Sequence, residues 1–151
     1  MKKQNKVVKK KNTTQKIKNS AKVEYEGMLF DSKLEVYCYR KLIEVELEFK
    51  YVPTTFTIIN PFIFNSESHE PDKKRGLLLS HRSKKVLGIK YTPDFVGNNW
   101  IIETKGRPNE SFPLRWKLFK KYLTENNIKF DLYLPKNQKQ VDQCIELIQS
   151  K

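Results

Sequence analysis

Asp94, Glu103 and Lys105 are ionisable residues set in a stretch that otherwise reads as apolar strand. The stretch runs Tyr91-Thr92-Pro93-Asp94-Phe95-Val96, Gly97-Asn98-Asn99, then Trp100-Ile101-Ile102-Glu103-Thr104-Lys105-Gly106. Strand side chains alternate faces, so Glu103 and Lys105 point one way and Trp100, Ile102 and Thr104 the other. If Asn98-Asn99 forms a two-residue primed turn, which asparagine's tolerance of positive φ allows, Asp94 pairs across from Glu103. Opposite residues have Cβ atoms about 4.5–5.5 Å apart, and two like charges there are destabilising unless something positive lies between them. A divalent cation meets that need, and Mg²⁺ is held by one or two carboxylates together with substrate phosphate. A three-residue turn would instead set Asp94 opposite Ile102, on the wrong face. The same residues would then be a turn aspartate and a Glu–Lys surface pair on an edge hairpin. Ile101 and Ile102 pad both faces, which suggests a central strand, where ionisable groups are costly unless used.

The rest of the chain must position that hairpin. Residues 23–30 alternate around Gly27 and read as a short hairpin. Leu34, Cys38, Leu42, Val45 and Phe49 recur at helical spacing, predicting a helix over about 33–49. Ser32 before it and Glu35 three residues on form a capping box, each satisfying the other's backbone N–H. Thr55 to Ile59 is a β-branched run that predicts a strand, and the polar, basic stretch at about 60–88 reads as an inserted hairpin. Pro113 starts a helix to about Glu125, with Leu114, Leu118, Phe119, Tyr122 and Leu123 facing inward. Trp116 fits either the core or an interface. Phe130 to Leu134 is a strand, and Val141, Cys144, Ile145 and Ile148 make a last helix. The order is helix, three strands, helix, strand, helix, an α/β layered domain.

Charge narrows the partner. The chain has 151 residues and a net charge of +13. Nine lysines, Lys9, Lys10 and Lys11 among them, fall in residues 1–22 without one acid, leaving a nearly balanced domain over 23–151. A basic arm of this kind neutralises phosphates and releases counterions, and with no apolar face it is unsuited to insert in lipid. Lys73, Lys74 and Arg75 in the insertion, and Arg115 and Lys117 on the second helix, are further candidate phosphate contacts. No apolar run approaches the length of a membrane span, and the charged N-terminus has no apolar segment behind it, so neither a membrane protein nor a secreted one is expected. Two cysteines, Cys38 and Cys144, are too few for a disulfide framework and suit a reducing cytoplasm. There is no zinc spacing and no Gly-rich phosphate loop.

Glu35, then Pro93-Asp94, then Glu103-Thr104-Lys105 resemble the motif set of the PD-(D/E)XK nuclease superfamily. Within it, Tyr91-Thr92-Pro93-Asp94-Phe95 and Glu103-Thr104-Lys105-Gly106 are similar to segments of the phage endonuclease I family of Holliday-junction resolvases. The resemblance covers residues 23–134. It implies a restriction-endonuclease-like core: helix, three-stranded antiparallel meander, helix and strand, here followed by a C-terminal helix. It implies that Asp94, Glu103 and the Thr104 carbonyl hold Mg²⁺, with Mn²⁺ as a substitute, and that Glu35 completes the site for a second metal. Lys105 would orient or deprotonate the attacking water. The implied protein is a homodimer that cuts branched DNA in the cytoplasm, the host's if the chain is phage-encoded. The insertion at about 60–88 departs from the compact family pattern and leaves junction preference open. Two rivals stand: a nicking or duplex endonuclease, and a nucleic-acid-binding protein without catalysis.

Overall fold

The computed structural model describes residues 22–72 and 74–151. Lys9, Lys10, Lys11 and the rest of the arm before Lys22, and Lys73, lie outside the described residues. β1 (Val23–Tyr25) and β2 (Met28–Phe30) pair antiparallel. They turn through Glu26 and Gly27, both at positive φ, as a primed two-residue turn requires.

α1 (Lys33–Glu44) starts at Ser32, whose side chain accepts from the Glu35 N–H. It stops five residues before the predicted end at 49. Glu46 sits at φ 54°, its N–H bonds to Ile43 O, and Leu47 N–H reaches back to Leu42 O. That is a left-handed C-terminal cap built without glycine, so no sequence signal marked it. The freed residues lead into β3 (Lys50–Tyr51).

Next come β4 (Phe56–Ile59), β5 (Phe62–Ile63), β6 (Glu67–Pro71), β7 (Leu78–Arg82), β8 (Lys85–Val86) and β9 (Ile89–Tyr91). They pair β4 with β9, β5 with β8 and β6 with β7, three successive sections of one long antiparallel ribbon. The β-branched run expected inside the main sheet therefore belongs to the ribbon. The chain between β3 and β4 passes through Val52 at φ 43° and then Pro53, which ends the short strand β3.

β10 (Phe95–Val96), β11 (Trp100–Ile102), α2 (Phe112–Glu125), β12 (Asp131–Tyr133) and α3 (Gln138–Gln149) complete the chain. The principal sheet has the order β12-β11-β10-β3. β10 is antiparallel to both neighbours, and β11 runs parallel to β12 across the α2 crossover.

All three residues of β11 are buried, as a central strand requires. Trp100 and Ile102 pack with Phe95 against Cys38 and Leu42 of α1 and Val141, Cys144 and Ile145 of α3. Ile101 packs with Tyr91 against Phe112, Trp116, Phe119 and Leu123 of α2. The protein is thus a mixed α/β fold with helices on both faces of its sheet. The buried stripe of α2 is 112, 116, 119 and 123, so Trp116 is core, while Leu114, expected inside, lies near the opposite face and is 62 % exposed. Cys38 and Cys144 are both buried free thiols, and burial pushes the Cys144 thiol up to about 11. Among the described residues no helix is long and apolar enough to cross a membrane.

Candidate active site

The hairpin register decides whether the acids meet. Phe95 faces Ile102 and Val96 faces Ile101, and Gly97 N–H bonds to Trp100 O at 2.9 Å. The turn is therefore Asn98-Asn99 alone, and the register continues to set Asp94 across from Glu103. The turn is not the primed type that was expected, because neither asparagine has positive φ. Two features constrain it instead. Asn99 O accepts from Asp131 N–H at 2.9 Å, tying the turn to β12. The Trp100 indole lies over Gly97 so closely that a Cβ built on Gly97 would overlap it.

Beyond Ile102 the strand keeps its place in the sheet. Glu103 N–H donates to Tyr133 O at 2.9 Å and Lys105 N–H to Pro135 O at 3.0 Å. This leaves Thr104 facing the other neighbour, where its N–H and its hydroxyl both donate to Asp94 Oδ2 at 2.8 Å. Asp94 Oδ1 carries no hydrogen bond among the described residues. Glu103 is 3 % exposed. Lys105 Nζ donates to its Oε1 at 3.0 Å and the Tyr91 hydroxyl to its Oε2 at 2.8 Å. The Lys105 ammonium also lies 5.0 Å from the centre of the Phe112 ring.

Glu35 is 6 % exposed and has a different set of partners. Ser32 Oγ donates to Oε1, while Asp31 N–H and the Tyr51 hydroxyl donate to Oε2, all at 3.0 Å. Half of the expected capping box is present: Glu35 N–H donates to Ser32 Oγ at 3.2 Å, but the glutamate carboxylate accepts from Asp31 N–H and the Ser32 hydroxyl where the Ser32 N–H was expected. No hydrogen bond links Glu35 to Asp94, Glu103 or Lys105 among the described residues. Its charge is nonetheless felt there. Burial first, then Glu103, then Glu35 push the Asp94 carboxyl up to about 8, against the opposing bonds from Thr104. Burial would lower the Lys105 pKa, but Glu103, Asp94 and Glu35 together raise it above the ordinary lysine value. Lys105 is a firmly held cation.

The structure therefore brings Asp94, Glu103, Thr104 and Lys105 together and sets Glu35 beside them on its own hydrogen bonds. Among the described residues no three His, Cys, Asp or Glu side chains are grouped as metal ligands. Arg115 and Lys117 are exposed on α2, and Arg115 Nη2 donates to Lys90 O. Lys74 and Arg75 are exposed near the far end of the ribbon.

Tyr51 and Tyr91 had no role in the sequence reading. Tyr91 lies in the quoted motif but passes for an apolar strand residue, and Tyr51 has no local signal, because Glu35 is brought to it only by the fold. Burial, first, and the neighbouring carboxylates raise both phenols far above the usual range, so both are neutral donors.

Fold and site together define a layered α/β protein whose hairpin sets a half-buried Asp94 across from a buried Glu103, with Lys105 bonded to Glu103. The chain belongs to the DUF1064 family, described as a protein of unknown function, whose model matches residues 14–139. No curated protein and no solved structure matches it.

Proposed function

We propose that this chain is a metal-dependent DNA endonuclease of the PD-(D/E)XK type, with branched DNA as its substrate. The observation that carries the reading is the pairing of Asp94 with Glu103 across a two-residue turn, with Lys105 3.0 Å from Glu103. Two carboxylates so placed repel, and that repulsion adds to burial, the larger cause, in lifting the Asp94 pKa. A single lysine offsets only part of it.

The donor set fits a Mg²⁺ held by two carboxylates and completed by water and phosphate. Asp94 would use Oδ1, and Glu103 would exchange one of its present partners. The Thr104 N–H faces Asp94, and a strand residue's N–H and C=O leave by the same edge, so its carbonyl fits as a third ligand. Glu35 would serve a second ion only by giving up a capping bond. When bound, the cation would supply a water of lowered pKa and neutralise phosphate charge. Lys105 as an ammonium would orient a water beside Glu103 and offset charge developing on the phosphate. The burial of Glu103 and Thr104 lowers the local dielectric, where such charges act more strongly. The antiparallel β3-β10-β11 strands, with β12 parallel beyond them and helices on both faces, support a restriction-endonuclease-like core. A homodimer would give a junction its two cuts.

A second reading, nucleic-acid binding without cleavage, has one observation in its favour: both oxygens of Glu35 and of Glu103 are already hydrogen-bonded.

The test is cleavage of a four-way junction and a matched linear duplex, with Mg²⁺ or EDTA, by the wild type and by Asp94→Ala. Mg²⁺-dependent symmetric cuts in the junction alone, lost in the variant, are expected. Equal cutting of both substrates removes the junction claim and keeps the nuclease. Salt-sensitive binding with no cutting of either moves the assignment to the second reading.

A further inference from the structure

The ribbon over residues 56–91 separates its charges by strand. Its outgoing strand, from Phe56 to Asp72, carries Glu67, Glu70 and Asp72 and no lysine or arginine. Its return strand, from Lys74 to Tyr91, carries Lys74, Arg75, Arg82, Lys84, Lys85 and Lys90 and no acid. Among the described residues, only Arg75 (with Asp72, 3.8 Å) and Lys84 (with Glu70, 3.9 Å) of these six are in ion pairs. Side chains leave a strand alternately by its two faces, so the return strand carries exposed cations along its length beside an outgoing strand that carries acids and no lysine or arginine.

The row of cations begins at the candidate site. Lys90 precedes Tyr91, whose hydroxyl is on Glu103, and the Lys90 carbonyl accepts from Arg115. At about 3.3 Å per residue the strand from Lys90 to Lys74 extends roughly 50 Å. Two extra residues on the outgoing strand, one between Thr57 and Ile59 and one between Ile63 and Glu67, curve the ribbon, as bulges do.

The ribbon does little for the chain's own stability. No described residue of 60–88 belongs to either core cluster. Phe62, Ile63, Leu77, Leu78 and Leu87 are exposed on it, and a lone two-stranded ribbon is marginal in water. It therefore serves an outside partner. A second copy fits poorly. Two-fold pairing of ribbon edges would lay cations against cations or acids against acids, and matching unlike edges would not close. A polyanion fits the return strand directly.

We propose that the ribbon is a nucleic-acid arm whose return strand tracks the phosphates of the duplex leaving the candidate site. The proposal rests on the nuclease reading only for where that duplex begins.

The experiment is equilibrium binding of the full chain to a labelled duplex in EDTA, across a salt series, with Mg²⁺ cleavage assayed in parallel. The wild type is compared with Arg82→Gln/Lys84→Gln/Lys85→Gln, with Lys85→Gln alone and with Glu67→Gln/Glu70→Gln. Each phosphate contact contributes about 0.9 to the slope of log K against log salt. The triple variant is expected to lose about 2.7 and the single variant about 0.9, while the acid variant keeps or steepens the slope. An unchanged slope in the triple variant with an unchanged circular dichroism spectrum overturns the arm, even if the wild type cleaves. A lowered slope with no cleavage by the wild type supports the arm and removes the nuclease alone.

Discussion

The Tyr91 hydroxyl donates to Glu103 Oε2 at 2.8 Å from a ring stacked on Phe119, 4.4 Å between centroids. The α2 side of the core thus reaches through one phenol to hold an acid of the hairpin. The other side does the same for Glu35 through Tyr51, whose ring lies 4.6 Å from Phe30 and 5.2 Å from Phe95. Each tyrosine couples packing to the orientation of one carboxylate.

Tyr91→Phe keeps the ring and removes the donor. A hydrogen bond to a charged group contributes about 1.5–3 kcal/mol, and loss of an outer partner of a metal ligand costs about 10–100-fold in metal affinity. The variant is expected to fold and to bind Mn²⁺ at least about 10-fold more weakly by calorimetry. An unchanged affinity would make Tyr91 a packing residue only.

Asp94 sets a pH dependence whose sign follows from linkage. Its folded pKa is lifted to about 8 from an ordinary value of 3.8. Between those values the folded chain holds a proton that the unfolded chain has released, so stability falls as pH rises through that window. Urea unfolding of the metal-free protein should give a midpoint that declines from pH 5 to pH 8, and Asp94→Asn should flatten the decline. A cation needs the ionised carboxylate, so metal affinity in the wild type should rise over the same range. A midpoint independent of pH in both proteins would show that Asp94 ionises freely.

The layers and the hairpin were legible because they rest on strong local signals. Apolar residues on both faces at Ile101 and Ile102 marked a central strand, and helical spacing marked α1, α2 and α3. What was not legible depends on contacts between distant segments. The Glu46 cap carries no glycine, so α1 read too long. Leu114 and Trp116 are both apolar on one helix, and only the sheet's position tells which faces it. The turn at Asn98-Asn99 was read with the right length and the wrong backbone, because Asp131 and the Trp100 ring constrain it. Tyr51 and Tyr91 meet their acids through tertiary packing that no local pattern encodes.

Gly97 precedes that turn, under the Trp100 indole. A methyl group there would overlap the ring, which is 4 % exposed in the core and has little room to yield. Gly97→Ala is expected to destabilise by about 1–3 kcal/mol through overpacking, and the shifted hairpin should raise Mn²⁺ dissociation as well. Thermal unfolding with near-ultraviolet circular dichroism follows both the stability and the tryptophan environment. A melt within about 0.5 kcal/mol of wild type, the range of neutral surface changes, would mean the ring moves aside.

The ribbon can be removed where its register allows a clean join. Ile59 pairs with Ile89, and deleting residues 61–87 leaves Asn60 next to Gly88 between them. Asn-Gly is the favoured sequence for a two-residue primed turn, so β4 and β9 would close as an ordinary hairpin. Phe56 and Ile58, which pack against the α2 cluster, stay in place, and Tyr91 keeps its bond to Glu103. The shortened chain is expected to fold with stability within about 1 kcal/mol of wild type, since loop length changes closure entropy slowly. Duplex affinity should fall and lose part of its salt dependence, while Mn²⁺ affinity is kept. A shortened chain that folds and binds duplex with the full salt slope would leave the arm without a role in binding.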